Sequence, residues 1–130
     1  MHHSRLCAIV IDCHVDELAP VADFWSQALG KPIASVDQDG DGKYAELQTA
    51  ADEPIILLQK VDHASRVHLD IETDDLDDLD AEVARLERLG ARRIAFVRGR
   101  WWVLEAPSGH RFCVVQPQRK AFGPHLNTWD

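Results

Sequence analysis

An internal repeat is the feature of this sequence that most constrains its fold. When the chain is shifted by 60 residues, residues 8–12 align with residues 68–72, and Leu29-Gly30 aligns with Leu89-Gly90. Each aligned segment reads as a strand followed by a helix, and the glycine favours the left-handed conformation that ends helices. The sequence therefore predicts two related halves.

Each half predicts the element order βαβββ. The first helix begins near Asp16 as its N-cap and ends at Gly30, and the second ends at Gly90. Thr73, Asp74 or Asp75 can cap the second helix, and its apolar stripe is Leu76, Leu79, Val83, Leu86 and Leu89. Strands follow over 32–36, 43–48 and 54–61, and then over 92–98, 100–105 and 110–116, and residues 37–42 form a turn rather than a calcium loop.

One helix is enough to cover only one face of each half's sheet. Two halves with their helices outside and their sheets curved toward each other solve this burial problem and leave a concave cleft. We predict an α+β fold in which two βαβββ modules form a curved mixed sheet around a cleft. Residues 1–130 form one domain, with module one at about 5–61, module two at about 62–117, and a tail at 118–130 that is either frayed or an arm on a neighbour.

Charge and cysteine content exclude several classes of partner. With 14 basic and 22 acidic residues, the net charge of −8 disfavours nucleic acid and anionic membranes as partners. No apolar run reaches the roughly 20 residues of a membrane helix, so we predict a cytoplasmic protein. Three cysteines without CxxC spacing predict reduced thiols.

Eight acidic residues lie within residues 70–82, and no basic residue lies among them. We interpret most of this acidic block as stabilising the start of the second helix, where carboxylates interact favourably with the helix dipole.

Strand alternation assigns faces to the candidate site residues. On the strand that opens the second half, the face toward the helix carries Val67, Leu69 and Ile71, and the face toward the cleft carries His68, Asp70 and Glu72. On the first strand, the core side carries Cys7, Ile9, Ile11 and Cys13, and the cleft side carries Ala8, Val10 and Asp12. His68 is the candidate catalytic base, with Asp70 as the carboxylate that tunes it; the alternative is a solvated polar face.

Two adjacent tryptophans extend the predicted ligand site. Trp101 and Trp102 face opposite sides of their strand, so that one walls the cleft and the other packs beneath the second helix. With Glu72 and Val10 they complete the predicted ligand-binding set. A partly apolar cleft with one polar end suits a small, flat molecule.

Three stretches of the chain carry a resemblance to a known family. They are His68-Leu-Asp-Ile-Glu-Thr-Asp-Asp, the pair Trp101-Trp102 followed by Val-Leu, and the ending Ala106-Pro-Ser-Gly-His-Arg-Phe-Cys-Val-Val-Gln-Pro117. Over about residues 5–117 the chain resembles the glyoxalase-like branch of the vicinal oxygen chelate superfamily, beside glyoxalase I, extradiol dioxygenases, and fosfomycin and bleomycin resistance proteins. The resemblance implies the fold, a small-molecule ligand and a homodimer, and it leaves the reaction open.

The resemblance also implies four metal-ligand positions, which fall at Ala8, Gln59, His68 and Cys113. Ala8 has no ligand atom, although a shift of register would place Cys7 or Ile9 there, and Cys113 stands where the family's metal enzymes carry glutamate. The cofactor that the resemblance implies is one divalent metal ion, which is zinc, nickel, manganese or iron.

Two functional hypotheses follow from this incomplete ligand set. The first is a protein that binds a small, partly apolar molecule at a degraded metal site. The second is a metal-dependent lyase, isomerase or dioxygenase that uses His68.

Overall fold

The computed structural model describes residues 1–36, 42–118 and 126–130, so most of the predicted turn at 37–42 lies outside the described residues. The chain divides into a first unit, residues 8–68, and a second unit, residues 1–7 with 69–130. Strands β1 (His2–Cys13) and β5 (Arg66–Thr73) each supply residues to both units, because the divisions fall inside continuous strands. Neither helix among the described residues has the length and apolar character that crossing a membrane requires.

The first unit has the predicted βαβββ order. Its elements after β1 are α1 (Ala19–Leu29), β2 (Ile33–Val36), β3 (Tyr44–Leu47) and β4 (Ile55–Lys60). The strands are ordered β2-β3-β4-β1, and β1 runs parallel to β4 whereas the other pairs are antiparallel. Its core consists of buried side chains from β1, α1 with its N-cap residue, β3 and β4: Cys13, Leu18, Ala22, Ala45, Leu47 and Leu58.

The second unit repeats this order. After β5 come a short 3-10 turn (Leu76–Asp78), α2 (Leu79–Arg88), β6 (Arg92–Val97), β7 (Trp101–Glu105), β8 (Arg111–Val115) and β9 (Asn127–Trp129). The strand order is β5-β8-β7-β6, with β5 and β8 parallel, and β9 pairs with residues 2–4 of β1. Parallel and antiparallel pairs occur in each unit, so the α+β class and the two βαβββ modules with mixed sheets are confirmed.

The first helix starts later than predicted. It begins at Ala19, after the N-cap residue Leu18, and Asp16 is not its cap. A helix starting after Asp16 would need a hydrogen bond from the backbone nitrogen of residue 20, which is proline and has no N–H. Starting at Ala19 moves Pro20 into the first turn, where the missing donor costs nothing. The end at Gly30 is confirmed, with φ of 67°.

The apolar faces of α2 and β5 are narrower than predicted. Leu79, Val83 and Leu86 pack in the second unit's core, but Leu76 is 55% exposed and Leu89 is 67% exposed. Both lie outside the helix, because a 3-10 turn capped by Asp75 precedes α2 and the helix ends before Leu89.

On β5, Ile71 packs against the second unit's core, whereas Val67 and Leu69 are exposed, so the predicted helix-facing row holds only at its end. All three cysteines are buried and form no disulfide, as predicted.

Two carboxylates of the acidic block are buried, which the sequence did not predict. Glu72 accepts a hydrogen bond from Arg5 Nε at 2.7 Å and another from the Gln118 backbone nitrogen at 2.7 Å. Glu82 accepts hydrogen bonds from His2 Nε2, Ser4 Oγ and both Nε and an Nη of Arg85, all at 2.8–2.9 Å.

The same network includes the end of the chain. Trp129 Nε1 donates to Ser4 Oγ at 2.8 Å, and the Arg85 guanidinium lies 3.8 Å from the Trp129 ring centroid. The predicted tail thus contains a strand, β9, that is fixed within the second unit.

We expect Arg5→Ala to destabilise the protein strongly. The substitution leaves the Glu72 carboxylate buried without its cation, which typically costs about 3–5 kcal/mol. Arg92→Ala is the matched control, because the Arg92 side chain is 69% exposed in its ion pair with Glu105, and exposed pairs contribute less than about 1 kcal/mol. The free energies of unfolding in urea test this, and equal losses in the two variants would contradict it.

The Glu82 network predicts a loss of stability in acid. Desolvation alone raises the pKa of Glu82, but hydrogen bonds from Arg85, His2 and Ser4 outweigh it, and the net pKa is lowered. A lowered folded-state pKa gives stability that is present above the unfolded-state pKa, about 4.3, and is lost as pH falls through the folded value. We expect urea midpoints to fall as pH drops below about 4.3, and to fall less steeply in Glu82→Gln than in a control variant of the exposed Glu17, Glu17→Gln.

Candidate functional site

A buried aspartate and a histidine form the first part of the candidate site. Asp12, near the end of β1, is 3% exposed, and its Oδ2 atom lies 2.7 Å from His68 Nδ1. Because an ionised carboxylate only accepts hydrogen bonds, His68 donates from Nδ1, and in the neutral imidazole Nε2 then holds the lone pair. Arg66 Nε lies 3.9 Å from the same Asp12 oxygen and adds a partly exposed positive charge.

Asp12 places a buried negative charge in the candidate site. Its second oxygen, Oδ1, is buried and has no hydrogen-bond partner among the described residues. Burial and the Asp12 charge together raise the pKa of Cys13, so this cysteine remains a neutral thiol. A buried carboxylate with one oxygen in no hydrogen bond is costly for folding alone, which points to a role in the site.

His68 belongs to a cluster of three potential metal ligands. His68 and Asp70 share one face of β5, and Asp70 lies opposite Cys113 in the register of β5 and β8. Among the described residues, ligand atoms of His68, Asp70 and Cys113 all lie within 4.8 Å of one another. Phe112 packs against the second unit's core and Val114 lies in it, which places Cys113 on the other face of β8.

The donor set fits a divalent ion of borderline softness. Imidazole, carboxylate and thiolate are all ligands of zinc, with bond lengths of about 2.0–2.3 Å, so ligand atoms around one ion lie roughly 3–4 Å apart. A carboxylate that does not itself touch the metal commonly accepts a hydrogen bond from the other ring nitrogen of a metal-binding histidine, as Asp12 does from His68 Nδ1.

Only some of the predicted metal ligands lie in this cluster. His68 and Cys113 lie together, and Asp70, predicted as a catalytic partner, completes the group. Ala8 is buried and has no ligand atom. Gln59 lies opposite Asp12 on β4 and donates from Nε2 to the Tyr44 hydroxyl at 3.3 Å. Its role as a ligand through Oε1 stays a prediction.

The four predicted ligand-binding residues differ in how far they are buried. Glu72 is fully buried and Val10 is 1% exposed. Trp102 packs against the second unit's core and beside Phe96, at 4.9 Å between ring centroids, whereas Trp101 is half-buried.

Asp12 is the residue that sequence reasoning missed. Alternation placed it on the cleft side of its strand, but no motif linked it to a histidine 56 positions later. The available signal was a charged residue directly after the apolar run at residues 6–11.

Comparison with known proteins identifies the family. The model of the glyoxalase-like domain matches residues 8–115. The chain belongs to the glyoxalase-like domain family. The resemblance to the vicinal oxygen chelate superfamily seen in the sequence is thereby confirmed. No curated protein matches the chain significantly in sequence.

Solved structures support the fold of this glyoxalase-like domain. A hypothetical protein from Bacillus halodurans is similar with a TM-score of 0.64 and 16% identity, over 92% of this chain and 99% of that one. Homoprotocatechuate 2,3-dioxygenase from Brevibacterium fuscum, in complex with 3,4-dihydroxyphenylacetate, is similar with a TM-score of 0.59 and 18% identity, over 86% of this chain. The match spans 36% of the dioxygenase chain, and these identities establish the fold alone.

We expect Asp12→Asn to change the protonation of the His68 ring. In the unsubstituted protein without metal, the Asp12 carboxylate selects the tautomer with hydrogen on Nδ1, whereas an amide can donate to that nitrogen and remove the preference. Long-range nitrogen–proton NMR spectra distinguish the two tautomers directly. The half-buried His63, which does not contact Asp12, provides the internal control. The same His68 tautomer pattern in both proteins would contradict the assignment.

Proposed function

We propose that this glyoxalase-like domain is a metal-dependent enzyme that acts on a small molecule with two adjacent oxygen atoms. The cluster of His68, Asp70 and Cys113, with His68 held by the buried Asp12, is the observation that carries the proposal. Of the two hypotheses from the sequence, the metal-dependent one accounts for why these donors lie together.

Each residue of the cluster has a distinct task. His68 Nε2, one Asp70 oxygen and the Cys113 sulfur would hold the ion, which when bound supplies Lewis-acid polarisation of a substrate oxygen. Asp70 and deprotonated Cys113 carry two negative charges, which match the charge of a divalent cation. Asp12 keeps the His68 ring in one orientation and makes the Nε2 lone pair a stronger ligand for the ion.

Three protein ligands leave coordination positions for the substrate, as catalytic metal sites require. Family membership supports a substrate that presents neighbouring oxygens to the metal. The similar dioxygenase binds 3,4-dihydroxyphenylacetate, a molecule whose adjacent hydroxyls have this form. Half-buried Trp101 offers an apolar surface for the rest of such a molecule. A cytoplasmic location and a homodimeric assembly stay predictions from the sequence.

Metal content tests the proposal. Protein purified without chelator is expected to contain about one divalent ion per chain by elemental analysis, and His68→Ala is expected to lose it. His63→Ala, which removes a half-buried histidine from a loop outside the cluster, is the matched control and should keep the metal. Asp12→Asn should weaken metal affinity by about 10–100-fold, the usual effect of removing the carboxylate that orients a metal-binding histidine.

The opposite result would favour the other hypothesis. If the unsubstituted protein, loaded with zinc, nickel, manganese or iron, retains no ion after dialysis, the metal-dependent proposal is wrong. Binding of catechols to such metal-free protein, detected by thermal shift, would then support a small-molecule binding protein with a degraded metal site.

A further inference from the structure

We infer that Cys113 binds the metal as a thiolate, and that this sulfur makes the site select zinc over iron and manganese. The inference rests on the proposed function and adds the identity of the ion. It also narrows the reaction to one that needs no electron transfer at the metal, which excludes dioxygen activation.

The strand geometry gives Cys113 a fixed place in the site. Asp70 and Cys113 are direct partners in the parallel pair of β5 and β8. The apolar neighbours of Cys113 anchor β8 in the second unit's core, so its sulfur lies on the face that carries Asp70. With 9% exposure, Cys113 is shielded from most solvent.

The surroundings of Cys113 differ from those of a packed structural cysteine. Cys13 lies in an apolar core, its Sγ donates to the Ile11 carbonyl at 3.3 Å, and its pKa is raised by burial and by Asp12. Cys113 instead has an imidazole and a carboxylate within 4.8 Å. A cation at this point would stabilise both the carboxylate and a thiolate, which are costly to bury as separate charges.

Ligand chemistry then decides which ion is preferred. Thiolate is a soft ligand that favours zinc, whereas sets of carboxylate, carbonyl and water suit manganese and magnesium. Ferrous oxygenases typically use two histidines and one carboxylate, a set in which sulfur has no part. One histidine, one carboxylate and one thiolate therefore favour zinc, which has no redox chemistry and acts as a Lewis acid. A lyase or isomerase reaction fits such an ion.

Cobalt(II) substitution reads out the sulfur ligand without any activity assay. We expect chelator-stripped protein reconstituted with Co²⁺ to show a thiolate-to-cobalt charge-transfer band in the near ultraviolet. Cys113→Ser should lose this band, and Cys13→Ser, which changes a buried cysteine outside the cluster, should keep it. In competition, the unsubstituted protein should bind Zn²⁺ in preference to Mn²⁺ and Fe²⁺ under anaerobic conditions.

A second variant keeps the test decisive if Cys113→Ser folds poorly. Cys113→Glu retains an ionisable ligand, and it is expected to bind Co²⁺ without the charge-transfer band and to lower the preference for Zn²⁺ over Mn²⁺. If the unsubstituted protein binds Co²⁺ through His68 but shows no such band, the inference about Cys113 is wrong and the proposed function stands. If neither Co²⁺ nor Zn²⁺ binds, the proposed function is wrong and this inference falls with it.

Discussion

Burial of carboxylates is the constraint on which this structure depends. Asp12, Glu72 and Glu82 are each 3% exposed or less, and a charge in such a place must be compensated by nearby donors. Within the second unit, Arg5 compensates Glu72, and Arg85 with His2 and Ser4 compensates Glu82. These contacts fix the start of β1, and through Trp129 they also fix β9.

In the first unit the same constraint shapes the candidate site. Asp12 is compensated mainly by His68, with Arg66 farther away, and this contact fixes the imidazole ring and its tautomer. A ring held in this way presents Nε2 in a defined direction, which a metal ligand requires. The chemistry proposed for the chain thus depends on a carboxylate that itself need not touch substrate or metal.

The fold was largely predictable from the sequence. The predictions that were wrong failed for physical reasons. The repeat and the alternating strands predicted both βαβββ modules, with six strands after the helices close to their observed bounds. The start of α1 was wrong because the sequence reading tolerated Pro20 too deep in the helix. Most of the acidic block was interpreted as a helix-start feature and Glu72 as a residue facing the cleft, but Glu72 and Glu82 are buried in ion pairs. Charge patterns alone do not distinguish a solvated carboxylate from a buried one that has a distant partner.

By itself the sequence determined the two modules and the alternation of side chains along each strand. Its family resemblance named His68 and Cys113 as candidates, and the alternation placed Asp70 on the face of His68. These follow from local periodicity and motif, because a strand alternates its side chains whatever surrounds it. Only the tertiary structure decided that Asp12 contacts His68 and that Asp70 lies opposite Cys113. Both contacts join residues far apart in the chain, and strand register, which side-chain packing sets, brings them together.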